Sequence, residues 1–343
     1  MKKFALGFIL LLVLCSVLFS LPKIDIAEAE PKTIVVPDEY PTISSAIGNA
    51  TDGDTIFVKK GTYYEHVTIN KSISLIGENR STTIIDGNET GTIVTITTGN
   101  VSISRFTIQR GGFDQSCIYL SSSSGVTIND NAISNNFEGI RLNSSNGNDI
   151  ADNLISPYAA VGIFLEYSNG NVIRGNIINP EIGLDQIGIL LTYSTENSII
   201  NNTILNNLYD GIKLIWDANA NVICGNNIKD NGYGVLIVDS GNNTVYHNNF
   251  TNNGVSCDYA NTWDNGYPSG GNYWSDYESR HPNATEIDDS GIWDTPYVID
   301  ENNQDNYPII PEFPTWTSML LILIVLTVVA IIYKRRLLKT PIQ

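Results

Sequence analysis

The pattern of apolar and polar residues along this chain has two periods, one short and one long. Within short segments the two kinds alternate, as around Ile56 and Val58, which is the pattern of a β-strand with one buried face. Between residues 117 and 253 a longer phrase occurs six times, made of Gly-Ile-x-Leu, a polar turn and two copies of Asn-x-Ile. Its glycines fall at 139, 162, 188, 211 and 234, so the steps are 23, 26, 23 and 23 residues. This period predicts a solenoid built as one continuous unit.

The alternation inside each repeat predicts an all-β fold made of successive coils of a parallel β-helix. Gly, Asn, Ser and Thr separate the short strands, and hairpin turns of fixed length are missing from the pattern. Ile163 and Leu165 should point inward, whereas Phe164 and Glu166 should point outward. Stacked about 4.8 Å apart, inward amides can hydrogen-bond along the axis, so we interpret them as structural. We place inward asparagines at 153, 176, 202, 226 and 249.

The segment before the repeats is predicted to cover the N-terminal end of the solenoid. Residues 30–54 contain a short strand at 34–36 and then a helix of about two turns that begins near Thr42. An uncovered first coil would expose apolar side chains and unpaired strand edges. We therefore expect residues 30–54 to form a cap and residues 55–259 to form the β-helix. The apolar face of the helix should consist of Ile43, Ala46, Ile47 and Ala50.

The N-terminus carries the pattern of an exported protein. Residues 1–29 combine two lysines, a long apolar run and the small-residue pattern Ala27-x-Ala29, which predicts a secretory signal peptide, with an uncleaved membrane anchor as the alternative. Asn-x-Ser/Thr triplets are acceptors for glycosylation outside the cytoplasm, although an Asn- and Thr-rich repeat also generates them by chance. Such triplets begin at Asn49, Asn70, Asn79, Asn88, Asn100, Asn143, Asn201, Asn242, Asn249 and Asn283.

The C-terminus is predicted to hold the protein in a membrane. Residues 260–311 are rich in Trp, Tyr and Asp and are expected to form a closing module. The almost wholly apolar segment that follows predicts one transmembrane helix at residues 312–333, and the basic residues 334–343 should stay in the cytoplasm. We therefore expect a single-pass protein of the cell membrane with the bulk of its chain outside the cell.

The charge of the chain excludes one class of partner. The net charge is -17, from 19 basic and 36 acidic residues. Nucleic-acid phosphates require clusters of Lys and Arg on the protein surface. We therefore expect no nucleic-acid partner, and we expect the membrane and a cell-surface or extracellular polysaccharide instead.

Several segments resemble a known family. The pieces EYPTISSAI, DGDTIFV, GTYYEHVTI and TIIDG between Tyr40 and Gly87, together with the repeats, resemble right-handed parallel β-helix proteins of the pectin-lyase-like class. More closely, they resemble the NosD-like branch with CASH (PbH1-type) repeats. The segment from Asn261 to Ile310 resembles the closing module of archaeal surface members, and the Pro-Glu-Phe tail from Pro311 resembles archaeal membrane anchors. The resemblance implies a single-stranded right-handed β-helix and leaves the activity open.

The NosD-like resemblance also implies a role in handling copper. Copper sites draw on Cys, Met and His side chains. The histidines are His66, His247 and His281, in the first coil, the last coil and the end module, and Met319 lies inside the predicted span. Because no pair of them has the spacing of ligands, we do not expect a copper site. We expect no cofactor, with calcium as the one alternative.

The resemblance further implies that any catalysis would use acids and a base on neighbouring coils of the outward face. Glu138 and Asp210 are three coils apart, about 14 Å, whereas an inverting hydrolase holds its carboxyl groups roughly 6.5–9.5 Å apart. The longer 26-residue step contains an insertion at 181–186, which could bulge over Asp210. Asp185, Asp210 and Lys213 are therefore the catalytic candidates, and a solvated loop is the alternative.

Two further groups are candidates for binding. Tyr167, Tyr193 and Trp216 follow the inward Leu on consecutive coils, and rings about 5 Å apart could stack on sugars or on one another. Asp288 and Asp289 in the acidic end module are candidate calcium ligands. The alternative for the end module is that its aromatic residues plug the last coil while its acids are solvated.

These observations favour one function over another. The first is an exported, membrane-anchored cell-surface β-helix that is structural, adhesive or glycan-contacting and does not catalyse a reaction. The alternative is an extracellular polysaccharide lyase or glycoside hydrolase that acts on the outward face.

Overall fold

The computed structural model describes residues 30–156, 158–180 and 186–310. The predicted signal peptide, transmembrane helix and basic tail lie outside these residues, and so does the catalytic candidate Asp185. Within the three described ranges, no helix has the length and apolar character needed to cross a membrane.

The described chain forms an all-β, right-handed parallel β-solenoid. In chain order its strands are β1 (Thr33–Val36), β2 (Thr55–Val58), β3 (Gly61–Tyr63), β4 (Val67–Ile69), β5 (Ser74–Gly77), β6 (Thr83–Asp86), β7 (Val94–Ile96), β8 (Ser102–Ser104), β9 (Thr107–Gln109), β10 (Ser116–Ser121), β11 (Thr127–Asn129), β12 (Ala132–Ser134), β13 (Asn136–Asn143), β14 (Asp149–Ala151), β15 (Leu154–Ile155), β16 (Tyr158–Glu166), β17 (Val172–Arg174), β18 (Ile177–Ile178), β19 (Ile187–Thr192), β20 (Ser198–Ile200), β21 (Thr203–Leu205), β22 (Asp210–Ile215), β23 (Val222–Cys224), β24 (Asn227–Lys229), β25 (Tyr233–Val238), β26 (Thr244–Tyr246), β27 (Asn249–Thr251), β28 (Gly254–Cys257), β29 (Tyr273–Trp274), β30 (Tyr297–Val298) and β31 (Gln304–Asp305).

Each full coil gives one strand to each of three parallel sheets, which we name A, B and C. Sheet A has the order β1-β2-β5-β8-β11-β14-β17-β20-β23-β26. Sheet B has the order β29-β27-β24-β21-β18-β15-β12-β9-β6-β3, and sheet C has the order β28-β25-β22-β19-β16-β13-β10-β7-β4. The strand at Thr33–Val36, which the sequence assigned to the cap, is thus the first strand of sheet A. A separate antiparallel pair is formed by β30 and β31.

The core lies inside the coils and is built from stacked rows of aliphatic side chains. Ile163 and Leu165 are fully buried and the outward Phe164 and Glu166 are half-buried, which confirms the predicted alternation. Because the strands are in register from coil to coil, identical positions stack on one another. One such inward row of sheet C consists of Ile118, Ile140, Ile163, Ile189, Ile212 and Val235.

Ladders of buried asparagines line the corners between sheets. In each ladder the Oδ1 atom of one asparagine accepts hydrogen bonds from the backbone N–H and the Nδ2 atom of the asparagine one coil earlier, as between Asn226 and Asn202 at 2.9 and 3.0 Å. The ladder between sheets A and B contains Asn131, Asn153, Asn176, Asn202, Asn226, Asn248 and Asn272. A second ladder, between sheets C and A, contains Asn148, Asn171, Asn197, Asn221, Asn243 and Asn261.

One predicted member of the first ladder is wrong by one residue. Asn249 is exposed on the outer face of β27, and Asn248 occupies the ladder position. The physical reason is the left-handed corner, which here falls at His247 with φ of 55°. The residue after that corner turns inward, and that residue is Asn248.

The predicted N-terminal helix is present as α1 (Ile43–Asn49), with Thr42 as its N-cap. Both ends of the helix meet complementary charges. The carboxylate of Glu65 accepts hydrogen bonds from the backbone N–H groups of Ile43 and Ser44, each at 2.9 Å. Lys71 donates to carbonyl groups at the other end, including that of Ala50 at 2.6 Å. Both pairs complement the helix dipole. The buried face consists of Ile43, Ala46, Ile47 and Ala50, as the sequence predicts.

The last coil is covered by aromatic side chains of the closing module. Trp263 and Trp274 are buried. Trp274 stacks on Phe250 of β27 with ring centroids 4.6 Å apart and on Tyr297 at 4.1 Å. A single-turn helix, α2 (Tyr277–Arg280), packs beside them through Tyr277. The aromatic residues therefore plug the end of the solenoid core.

The closing module also terminates both long ladders. The backbone N–H of Asn272 donates to Oδ2 of Asp305 at 2.7 Å, where the next asparagine of its ladder would otherwise accept. In the same way the backbone N–H of Asn261 donates to Oδ1 of Asn303 at 2.8 Å. Asn303, directly before β31, and Asp305, within it, thus accept the hydrogen bonds that a further coil would otherwise accept.

Candidate carbohydrate-binding site

Three aromatic residues lie at one corner of the solenoid, directly after sheet C. Tyr167, Tyr193 and Trp216 have φ angles of 48°, 49° and 55°, which is the left-handed region that bulky residues avoid. Ser144 and Asp239 occupy the same corner on the flanking coils with φ of 51° and 50°. The corner therefore requires the left-handed conformation whichever residue occupies it. Backbone preference does not explain why three aromatic residues stand there.

The three rings form one continuous stack, which we call the aromatic row. The ring centroids of Tyr167 and Tyr193 are 4.8 Å apart with an interplanar angle of 5°, and those of Tyr193 and Trp216 are 5.7 Å apart at 30°. The exposed fractions are 52%, 39% and 50% in chain order. The middle ring is covered on both faces, whereas each terminal ring has a neighbour on one face only. Self-stacking therefore leaves the outer faces of Tyr167 and Trp216 open.

Beside the aromatic row, the outward face of sheet C carries several apolar side chains among its charged ones. Phe164 and Leu190 are register partners on neighbouring coils and are half-buried. Leu236 lies further along the same row, and Ile215 precedes Trp216 on its own strand. Apolar side chains on an outward face next to exposed rings are typical of a surface that contacts a partner.

The structure brings Asp210 and Lys213 together on this face. The Nζ atom of Lys213 lies 3.0 Å from Oδ2 of Asp210. Asp210 is 2% exposed. Burial raises the pKa of Asp210 above its ordinary value, and the hydrogen bond and charge of Lys213 oppose that rise. The two residues therefore form a closed ion pair.

The neighbours of this ion pair do not supply a second acid. In the strand register Asp210 stands between Ile187 and Tyr233. The partners of Lys213 are Leu190 and Leu236. Among the described residues, the two adjacent coils thus place no carboxylate beside Asp210 in its row. Asp185, the third catalytic candidate, lies outside the described residues.

A cluster of charges that the sequence analysis did not single out lies on the preceding coils. Arg141 contacts Glu138 at 3.4 Å and Glu166 at 2.8 Å, and its guanidinium group lies 4.7 Å from the centre of the Phe164 ring. Asn143 donates a hydrogen bond to Glu166 at 2.8 Å. The signal was available in the 23-residue step from Gly139 to Gly162, which sets the register that places Glu166 beside Asn143.

The two calcium candidates are adjacent in an exposed turn of the closing module. Asp288 and Asp289 both have left-handed backbone conformations, with φ of 48° and 53°. No group of three or more His, Cys, Asp or Glu side chains suited to a metal occurs in the described chain. The calcium site stays a prediction. A calcium-dependent rise in melting temperature that disappears in Asp288→Asn would support it, and an unchanged melting temperature would contradict it.

The three wound sheets define a right-handed parallel β-solenoid protein. Within this class the chain belongs to the NosD family. The family model, described as periplasmic copper-binding protein (NosD), matches residues 47–279. The NosD-like resemblance that the sequence suggests is thereby confirmed.

Individual relatives share parts of the chain. A cell surface glycoprotein of Methanothermus fervidus is 34% identical over 139 residues, which are 40% of this chain and 22% of that protein. The chain thus spans about a fifth of the length of that relative.

Solved structures share the solenoid. Tailspike protein 2 from Escherichia coli O157:H7 bacteriophage CAB120 matches with a TM-score of 0.53 at 13% identity, covering 72% of this chain and 40% of that one. An alginate lyase from Paenibacillus sp. str. FPU-7 matches with a TM-score of 0.45 at 16% identity, covering 71% and 98%. At these identities the likeness concerns the fold alone.

The donor atoms in the described residues do not fit the copper that the family description names. Both ring nitrogens of His66 are engaged, Nδ1 with the carbonyl oxygen of Thr92 at 2.8 Å and Nε2 with Oγ1 of Thr90 at 3.0 Å. Nε2 of His247 lies 2.7 Å from the carbonyl oxygen of Ser269. Copper requires several Cys, Met or His donors converging on one point, and the described residues contain no cluster of three or more His, Cys, Asp or Glu side chains that could hold a metal ion. We therefore assign no copper-dependent step to this chain.

Proposed function

We propose that this protein is a cell-surface β-helix that contacts glycans through the aromatic row and does not catalyse a reaction. The observation that carries the proposal is the stack of three half-exposed rings at left-handed corner positions. Tyr167 and Trp216 are about half exposed, and each has a ring neighbour on one face only. Rings with open faces are suited to packing against the apolar faces of sugars.

Self-stacking alone explains the aromatic row less well. Ring pairs contribute about 0.5–1.5 kcal/mol each, and the aromatic row contains two of them. This stabilisation arises between the facing rings and does not require the outer faces of Tyr167 and Trp216 to be open to solvent. Contact with a ligand accounts for aromatic side chains whose outer faces are open.

The surroundings of Asp210 support binding over catalysis at the predicted catalytic residues. An inverting hydrolase needs two carboxyl groups roughly 6.5–9.5 Å apart with opposite protonation states. The ion pair of Asp210 with Lys213 and the apolar partners Ile187 and Tyr233 do not provide them. The alternative is a polysaccharide lyase or hydrolase at this face. Release of reducing sugars or unsaturated products from any polysaccharide would establish that alternative.

The location of the protein is also part of the proposal. A relative described as a cell surface glycoprotein and the predicted signal peptide support export to the cell surface. The apolar segment at residues 312–333 supports a membrane anchor, and α1 supports a cap at the N-terminal end. Cell fractionation tests the anchor, because the full chain should sediment with membranes and a chain that ends at Ile310 should not.

Trp216→Ala should weaken glycan binding at least tenfold, because the substitution removes the largest ring of the row and leaves the smaller Tyr193 ring as its end. A factor of ten corresponds to about 1.4 kcal/mol, which is within the range of one aromatic contact. The measurement is glycan-array binding of the full chain in detergent, followed by titration with the polysaccharide that binds.

The matched control for this substitution is Tyr233→Ala. Tyr233 is 44% exposed at the opposite end of the sheet C strands, and its removal should leave glycan binding unchanged. If Trp216→Ala lowers only the melting temperature and binding persists, the aromatic row serves packing and the proposal fails.

A further inference from the structure

We infer that the aromatic row takes a neutral polysaccharide and rejects polyuronates, the anionic polymers of sugar acids. This inference rests on the proposed function, because it specifies the class of glycan for the same surface. It is argued from the charges around the row and from the space beside its first ring.

Free cations are scarce on the coils that carry the aromatic row. Between residues 158 and 238 the chain contains three basic residues, Arg174, Lys213 and Lys229. Arg174 belongs to β17 in sheet A and Lys229 to β24 in sheet B, so only Lys213 lies on the sheet that leads to the row. A uronate carboxylate would need a cation close to the bound sugar.

Each of these cations already has a carboxylate partner. Arg174 lies 2.7 Å from Asp149, and Lys229 lies 3.7 Å from Asp230. Lys213 is 3.0 Å from the buried Asp210. Separating Lys213 from this partner would leave a buried carboxylate without its countercharge, which is costly. A uronate would therefore gain little from Lys213.

Arg141, the cation on the coil before Tyr167, is engaged as well. It contacts both Glu138 and Glu166, so this group of three carries a net negative charge. The cation nearest to the start of the row thus does not create a positive site.

Exposed carboxylates border the aromatic row on its other side. Asp217 directly follows Trp216, and Asp239 occupies the row position on the next coil. Glu196 lies on the coil of Tyr193, three residues after it, and is also exposed. Charges within about 8–10 Å interact appreciably at physiological salt. A polyuronate that stacks on Trp216 would therefore meet like charges.

At the opposite end of the row, the corner positions themselves carry no charged side chain. The corner positions on the two coils before Tyr167 are held by Ser144 and Ser122, which are small and exposed. Two coils measure about 10 Å along the axis. The outer face of Tyr167 is thus followed along the axis by the hydroxyl groups of Ser144 and Ser122. This arrangement suits a sugar ring that has an apolar face and neutral hydroxyl groups.

The test compares neutral and anionic glycans on the full chain. Cello- and manno-oligosaccharides are the neutral probes, and polygalacturonate and alginate are the anionic ones. Neutral probes should bind at least tenfold more tightly at low salt. Anionic binding should improve as salt rises, because screening weakens repulsion. Tighter binding of a uronate that weakens with salt would overturn the inference.

A double variant, with Asp217→Asn and Asp239→Asn in one chain, tests whether the charges of these two carboxylates weaken the binding of polyuronates. Asparagine tolerates the left-handed conformation that both positions require, so the fold should be kept. Alginate binding should rise several-fold in this variant, whereas binding of the neutral probes should stay the same. Equal alginate binding in both proteins would contradict the role of these charges.

The outcomes also separate this inference from the function on which it rests. If alginate binds tightly and Trp216→Ala abolishes that binding, the row contacts glycans and only the inferred class is wrong. If none of the four probes binds to the full chain, both the proposed function and the inferred class fail.

Discussion

Asn226→Ala is expected to lower the free energy of unfolding by about 4 kcal/mol, whereas Asn227→Ala should change it by no more than about 0.5 kcal/mol. The two asparagines are adjacent in the chain. Asn226 is buried in the ladder between sheets A and B, and Asn227 is exposed on the outer face of β24. The same substitution at neighbouring positions therefore separates the loss of the ladder hydrogen bonds from the general effect of replacing an asparagine by alanine.

The expected loss at Asn226 follows from its hydrogen bonds. Its Oδ1 accepts from the backbone N–H of Asn202 at 2.9 Å, and its Nδ2 donates to the carbonyl oxygen of Ile199 at 2.8 Å. Alanine would leave both backbone groups buried without these partners. Each such group costs about 1–3 kcal/mol, and the loss of packing adds to this.

Thermal unfolding measured by circular dichroism provides the comparison. The midpoint of Asn226→Ala should fall by about 10 °C, from roughly 2–4 °C per kcal/mol for a chain of this size, and that of Asn227→Ala should stay close to the unsubstituted protein. Equal midpoints for the two variants would show that the ladder contributes no more than a surface amide.

The coils could be predicted from the sequence because each one repeats the same pattern of inward and outward residues. Alternation fixes which residues of a strand are buried, and a constant step brings the same residue type into register. The inward Ile163 and the buried face of α1 follow directly. The prediction failed at Asn249. From Asn153 to Asn226, each inward asparagine of the first ladder follows a member of the second ladder by five residues, as Asn226 follows Asn221, and this spacing marks Asn248 instead.

The candidate site could be predicted only in part. The register placed Tyr167, Tyr193 and Trp216 on consecutive coils, but their shared left-handed conformation has no sequence signal, because serine and aspartate occupy the same corner elsewhere. The termination of the ladders by Asn303 and Asp305 was also missed. Both residues belong to the closing module, which lacks the repeat, so the period of the repeat does not predict that they contact the ladders.

Asp305 should make the stability of this protein fall as the pH rises from about 4 to about 7. The side chain is 0% exposed, and burial raises its pKa from 3.8 to about 7, with a further contribution from Asp264. The backbone N–H of Asn272 and the indole N–H of Trp274 donate to its carboxyl group at 2.7 and 2.9 Å and oppose this rise.

The direction of the effect follows from proton binding. With a pKa of about 7, Asp305 should stay mostly protonated in the folded state up to about pH 6, whereas in the unfolded state it loses its proton near pH 4. The free energy of unfolding therefore decreases from about pH 4 to about pH 7 and levels off above that range. At about 1.36 kcal/mol per pH unit, the loss amounts to about 4 kcal/mol.

Asp305→Asn tests this assignment, because an amide resembles the protonated acid and does not titrate. Its oxygen can still accept from Asn272, as each asparagine does within the ladder. Its amide nitrogen then faces the backbone N–H of Tyr307, which donates to Oδ1 of Asp305 at 3.0 Å, and this cost is independent of pH. Relative to the unsubstituted protein, the variant should gain about 4 kcal/mol between pH 4 and pH 8. Urea unfolding across this range provides the measurement, with the exposed Asp288→Asn as the control that should keep the original slope. Parallel pH profiles for the Asp305 variant and the unsubstituted protein would mean that Asp305 is ionised in the folded state throughout, so that the ladder ends on a charge.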